Sequence, residues 1–281
     1  MDVRVMQSSD LNFAAESALS VGWTSETRDL FEGFFLHDPD GCFIAEISGN
    51  PIGICIATSY GEYGFVGELI VREAYRGRSI GPRLLDHAIA YLRKKKVRHI
   101  YLDGVVAAVP YYQSIGFRKI CPSLRFVGKP DSCYHSNVRP MQQNDLNSVY
   151  KLDNKYFDAD RSFFLKHRFS LFPKYCQVYE KDGSILGFIM AIAGKDVVSV
   201  GPMIVHESVQ RPLDLLENLA LETGETCLRI GVLEKNNRAV QVMVSVKSMK
   251  KFAPSWRMVL GTSEKLGASE QCFAIGSAAK G

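Results

Sequence analysis

The run Tyr75-Arg76-Gly77-Arg78-Ser79-Ile80-Gly81 is where residue types and spacing first imply chemistry. It follows a β-rich stretch over residues 65–71. It leads into a segment where Ile80, Leu84, Leu85, Ala88, Ile89 and Leu92 recur at helical spacing. Pro82 suits the first turn of that helix, because the N–H it lacks would be unpaired there anyway. A loop of small residues at a helix start aims several backbone N–H groups at one point, and the helix dipole adds positive potential. Glycine lets a phosphate reach that backbone, and Arg76 and Arg78 offer charge-assisted hydrogen bonds. The chemistry this predicts is capture of a phosphate-bearing ligand. A second run, Val109-Pro110-Tyr111-Tyr112-Gln113-Ser114-Ile115-Gly116-Phe117, reads as a short helix that stops at Gly116, with Phe117 opening a strand.

The order strand, Arg/Gln-x-x-Gly-x-Gly/Ala, helix resembles the acetyl-CoA motif of the GNAT N-acetyltransferase family. Arg76, Gly77, Ile80 and Gly81 fit it, and Ser79 stands where the family usually has its first motif glycine. The tyrosine-bearing helix ending at Gly116-Phe117 is similar to a later family element, in the family's order. The resemblance implies that acetyl-CoA is the cosubstrate, with no metal. Its contacts would be Leu69, Ile70, Val71, Arg76, Gly77, Arg78, Ser79, Ile80 and Gly81. It also implies that Tyr112 points at the thioester sulfur and stabilises or protonates the departing thiolate, whose thiol has a pKa of ~8.5. An amine, on a small molecule or a peptide, would attack acetyl-CoA directly in a ternary complex. That amine must lose a proton, and Glu68 is the best acidic candidate for the base, directly or through water. A non-catalytic acyl-CoA-binding or scaffolding protein is the other reading. Tyr112 discriminates, since binding alone gives it little to do.

Strands and helices must position these residues, and the chain contains two sets of them. Residues 3–12 read VRVMQSSDLN and residues 138–147 read VRPMQQNDLN. Further matches follow at an offset of 134, from Glu46 with Glu180 to Glu73 with Glu207. These predict two copies of one fold. Each copy begins with a short strand and a helix near Ser9-Asp10. Residues 42–47 and 52–58 then flank a hairpin signal at 48–51. Strand, helix, strand, short helix and strand complete the copy. The predicted fold is α/β (α+β): two tandem GNAT-type domains, each a mixed, mostly antiparallel sheet flanked by helices. The expected boundaries are 1–128 for the catalytic domain, 129–134 for a linker and 135–281 for a degenerate second domain.

The second copy loses the chemistry. Arg211 falls opposite Gly77 and Leu215 opposite Gly81, where a pyrophosphate would need space. Met243 takes the tyrosine position of a helix beginning at Asn236. Residues 156–165 and 273–277 resemble the C-terminal acetyltransferase-like domain of the YitH type. On that resemblance Asp160 and Arg161 are expected to line a substrate pocket facing the first domain.

Bulk properties narrow the classes. A net charge of +4 over 281 residues gives no case for nucleic acid, and the basic run 93–96 reads as a solvated helix end. Seven scattered cysteines form no Cys-x-x-Cys pair, which argues against zinc and redox motifs. Cys55, in an apolar strand, reads as buried and structural. No signal peptide and no span of ~18 apolar residues is visible, so a cytoplasmic protein without a membrane partner is expected.

Overall fold

A computed structural model describes residues 1–194, 196–224 and 227–281. The first half runs β1 (Asp2–Val5), α1 (Leu11–Ser20), α2 (Arg28–His37), β2 (Cys42–Ile47), β3 (Asn50–Tyr60), β4 (Tyr63–Val71), α3 (Ile80–Lys94), β5 (His99–Val105), α4 (Val109–Ser114) and β6 (Arg118–Gly128). The second half repeats that order as β7 (Val138–Pro140), α5 (Leu146–Phe157), α6 (Ser162–Leu171), β8 (Cys176–Lys181), β9 (Ser184–Ile192), β10 (Val197–Val205), α7 (Leu213–Thr223), β11 (Cys227–Leu233), α8 (Asn237–Ser245) and β12 (Lys250–Leu260). It then adds β13 (Cys272–Ala274).

The repeat reaches down to single side chains. Arg4 pairs with Asp10 and Glu46, and Arg139 pairs with Asp145 and Glu180. Asp10 also accepts from the Gln7 N–H and Asp145 from the Gln142 N–H, so each carboxylate ties a helix start to the first two strands of its half. The β2–β3 hairpin turns at Ser48 (φ 51°) and Gly49 (φ 77°), and the β8–β9 hairpin at Asp182 (φ 50°) and Gly183 (φ 72°). Two consecutive positive φ values are what a tight hairpin demands. Asn50 and Pro51 therefore belong to β3 and not to the turn.

Both halves have the mixed, mostly antiparallel sheet, and the two are continuous. The order is β1-β2-β3-β4-β5-β12-β6-β11-β10-β9-β8-β7. The last strands are thus interleaved. β12, from the second half, pairs with β5 from Ile100 to Val105, and β6, from the first half, pairs with β11 from Ser123 to Gly128. β6 and β12 pair antiparallel with each other at the centre. One apolar core also crosses the halves: Phe31 and Phe34 of α2 pack with Phe164 and Leu165 of α6, above strands from both ends of the sheet. The sheet therefore curls around α1, α2, α5 and α6. A second cluster lies under α3 and α4, and a third under α7 and α8. Among the described residues no helix is long and apolar enough to cross a membrane.

Candidate functional site

The site begins where two parallel strands part. β4 and β5 pair only at Tyr63–His99, Gly64–Ile100 and Phe65–Tyr101. Beyond that point β5 runs on beside β12, while β4 stays with β3. β4 also bulges: Glu68 and Leu69 together face Cys55, between the pairs Ile56–Gly67 and Ile54–Ile70. Glu68 takes φ 52° to do so. A bulge re-aims a side chain and leaves a backbone group outside the ladder. Here it opens a cavity of about 620 Å³, lined on the first-half side by Glu68, Leu69, Leu102 and Tyr112 and on the far side by Ser199 and Arg229.

The predicted phosphate loop joins β4 to α3. Gly77 has φ 77°, and a Cβ there would meet nothing within 4 Å, so the glycine serves backbone conformation alone. Ser79 precedes α3 at φ 57°, and its hydroxyl makes no capping hydrogen bond. The cap that serine offers in principle is absent because this backbone geometry is left-handed. Gly81 lies inside α3, with 3.9 Å between an added Cβ and Val71. Arg76 donates through Nε to the Val71 carbonyl at 3.0 Å, folding the loop over the strand end. The Arg78 guanidinium lies 5.5 Å from the centre of the Tyr75 ring. Ile70 is buried in the core shared by the halves, so only its backbone is available to a ligand. A left-handed serine costs about 1 kcal/mol. Ser79→Gly is therefore expected to stabilise the protein by about 0.5–1 kcal/mol, read as a higher Tm. A lower Tm overturns this account of the loop.

Tyr112 comes from α4, whose cap Ile115 is followed by Gly116 at φ 95°. Its ring lies over Gly104 of β5: a Cβ there would come within 2.8 Å of it. The glycine is what lets the phenol lie against the strand and face the cavity. Burial pushes the Tyr112 pKa up to about 12, with Cys55 and Tyr111 adding to it, so the phenol keeps its proton at neutral pH.

Glu68 is the best-placed carboxylate, and its setting was not visible in the sequence. It is 1% exposed and accepts a hydrogen bond at 2.8 Å from Lys280 Nζ, which is itself 3% exposed and also bonded to Glu26. The other Glu68 oxygen, Oε2, has no hydrogen-bond partner among the described residues. Burial raises its pKa to about 7; Lys280 opposes the rise and Glu26 reinforces it. Burial makes this carboxyl group basic enough to take a proton near neutrality, and the half-buried Glu26 shares its ammonium. Lys280 arrives on the segment 275–281. Tyr60 donates to its carbonyl at 3.0 Å, and Arg168 donates to the Gly276 carbonyl at 3.0 Å.

Among the described residues the corresponding gap in the second half is filled. β10 and β11 part beyond Val200–Ile230, as β4 and β5 do, but β13 enters the gap and pairs with β10. Phe273 of β13 is fully buried there with Met243. At the start of α7, Arg211 donates to Glu217 at 2.7 Å and pairs with Asp214 at 3.0 Å. Guanidinium and carboxylates thus pair at the position that corresponds by sequence offset to the predicted phosphate loop of the first half.

Contrary to expectation, the structure places Asp160 and Arg161 away from this cavity. Asp160 accepts the Ser162 N–H at 2.8 Å, in the turn that leads into α6. Arg161 is buried, paired with Asp153 at 2.8 Å, and donates to the Gly281 oxygen at 3.1 Å. It supports the Lys280 segment from behind. Away from the cavity, Cys133, His135 and Glu217 bring possible metal-ligand atoms within 4.8 Å of one another. Arg211 and His135 already bind that Glu217 carboxylate.

Residues 9–117 match the Acetyltransferase (GNAT) family and residues 149–274 an Acetyltransferase (GNAT) domain. An uncharacterized N-acetyltransferase from Methanocaldococcus jannaschii is 30% identical over 102 residues, which span 33% of this chain and 45% of that protein. The chain thus spans under half the length of that curated relative. A solved Pyrococcus horikoshii structure, an acetyltransferase candidate, superposes with TM-score 0.81 at 21% identity, covering 100% of this chain and 95% of that one. A tandem GNAT protein from the clavulanic acid biosynthesis pathway gives TM-score 0.64 at 12% identity, over 94% and 99%. The two structures show the fold, in one piece across both halves.

Proposed function

Because the chain belongs to the GNAT acetyltransferase family through both of its halves, we propose that its first-half cavity transfers an acetyl group from acetyl-CoA to an amine. The observation that carries this reading is Glu68, a buried carboxylate with a pKa of about 7, in one cavity with the neutral phenol of Tyr112. The loop 76–81 would take the pyrophosphate, and the pantetheine arm would enter beside Leu69–Val71. The bulge at Glu68–Leu69 leaves backbone polar groups outside the ladder, and in this reading they would bond the thioester carbonyl. Glu68 would take the proton of the amine as nitrogen attacks the carbonyl carbon. The tetrahedral intermediate would collapse with loss of the CoA thiolate, which Tyr112 hydrogen-bonds or protonates. In this reading the second half is a wall of the cavity and no second active site, since β13 and Arg211 fill the corresponding spaces.

The test is thiol release from acetyl-CoA against a panel of amines. Tyr112→Phe is expected to slow turnover about 100-fold. Its acetyl-CoA affinity should stay within about twofold by calorimetry, because the ring and its packing are retained. Acetyl-CoA binding without thiol release from any amine would instead favour the non-catalytic reading. No detectable acetyl-CoA binding would exclude both.

A further inference from the structure

The far side of the cavity has charged groups that the transfer step does not use. Arg229 on β11 and Arg125 on β6 both line it. The strands pair as Arg229–Val127 and Gly231–Arg125, so the two arginines are diagonal neighbours on one sheet face. Gly231 is small for a reason: a Cβ there would come within 3.2 Å of Arg125 Nη1 and 2.8 Å of Ile275. Arg125 is largely satisfied by the Ser123 hydroxyl at 2.8 Å and by the Ser255 hydroxyl at 3.2 Å, with Asp103 at 3.9 Å. Arg229 is not. Its Nη2 donates to the Ser199 hydroxyl at 3.1 Å, and among the described residues no carboxylate forms an ion pair with it.

The internal repeat makes this placement more telling. In the first half the corresponding pair on parallel strands is Phe65–Tyr101, two buried aromatic side chains. In the second half the pair is Ser199–Arg229. A core pair in one copy is thus a hydroxyl and a guanidinium facing a cavity in the other. Asp103, which also lines the cavity, is already bound by Arg257. The opposite wall has Glu68 and Glu26 around Lys280. The cavity is acidic where an ammonium must lose its proton and cationic at the other end.

We infer that Arg229, with Ser199 and Arg125, binds an anionic oxygen group of the acceptor, so that the acceptor is an amine carrying a carboxylate or a phosphate. This rests on the acyl-transfer reading for the amine end. A guanidinium with unused N–H groups suits either oxyanion in bidentate fashion. The group would fix one end of the acceptor while its nitrogen faces Glu68.

The experiment compares matched amines: 2-aminoethyl phosphate with ethanolamine, β-alanine with propylamine, and phenylalanine with phenethylamine. Thiol release and calorimetric binding to the CoA-loaded protein are both read. The anionic member of at least one pair is expected to exceed its neutral counterpart about 10- to 100-fold in kcat/KM. The phosphate and carboxylate arms show which oxyanion is taken. R229Q should erase that preference, mostly through KM, and R229K should restore only part of it, with acetyl-CoA binding confirming that each variant is folded. Neutral amines used as well as anionic ones, or an unchanged preference in R229Q, would overturn the anion subsite while leaving acyl transfer standing. Anionic amines that bind wild type but not R229Q, without thiol release, would leave the subsite standing and remove the transfer reading. Failure of every amine to bind or react would remove both.

Discussion

Glu68→Gln is expected to lower kcat by about 100- to 1000-fold at neutral pH, the effect of losing a general base. The pH dependence gives the sharper signature. The ionised carboxylate is the active form, and the Glu68 pKa is about 7, so kcat/KM should rise with pH and level off above that value. Below it, activity should fall about tenfold per pH unit as the carboxylate is protonated. The variant should lose the inflection near 7. Gln is isosteric and Lys280 retains Glu26, so the segment 275–281 should stay in place. A variant with more than about a third of wild-type activity at pH 7, or with the same inflection, would move the base elsewhere.

The second large effect concerns folding. A chain of residues 1–128 is expected not to fold cooperatively and not to bind acetyl-CoA. Its β6 would lose both neighbours, β11 and β12, and its β5 would become an unpaired edge. Met258 and Val259, buried against the first half, would be gone, and Leu124 and Phe126 would lie bare on β6. Four such side chains account for about 6–12 kcal/mol, comparable to the whole stability of a domain. For the same reason the full chain should unfold in one transition, with far-UV and near-UV signals coinciding. A soluble, cooperatively melting 1–128 fragment that binds acetyl-CoA would contradict this account.

The legible parts of the molecule were the local ones. The loop at 75–81, the helix after it and the Tyr112 helix ending at Gly116 are written in contiguous residues with turn and capping signals. The repeat predicted the element order of the second half and the filled state of its phosphate loop. What escaped reading depends on residues distant in sequence. Glu68 sits in a strand pattern that shows no bulge, and its ion-pair partner Lys280 lies 212 residues away. The stretch 276–281, GSAAKG, reads as a featureless coil, yet it supplies the ammonium beside the carboxylate. β13 is three residues long, too short for any periodicity to reveal that it fills the second gap. The interleaving of β6 and β12 leaves no mark in either strand, because each would have the same alternation in its own sheet. Arg229 had no motif around it; its one signal was a charge in the strand after α7, where the first copy has a tyrosine.

The interleaved strands also bear on how such a gene can change. While two duplicated domains stand side by side, either copy can be deleted or drift to ruin and the other survives. Once each copy's last strand lies inside the other's sheet, loss of one copy removes a central strand from its sibling. Under the proposed function, a second copy so placed could give up a ligand site but not its fold. Its remaining room for innovation was the surface turned toward its twin's cavity. Duplication in this chain works as a ratchet: it converts a spare copy into an indispensable one and directs later mutations toward the shared cleft.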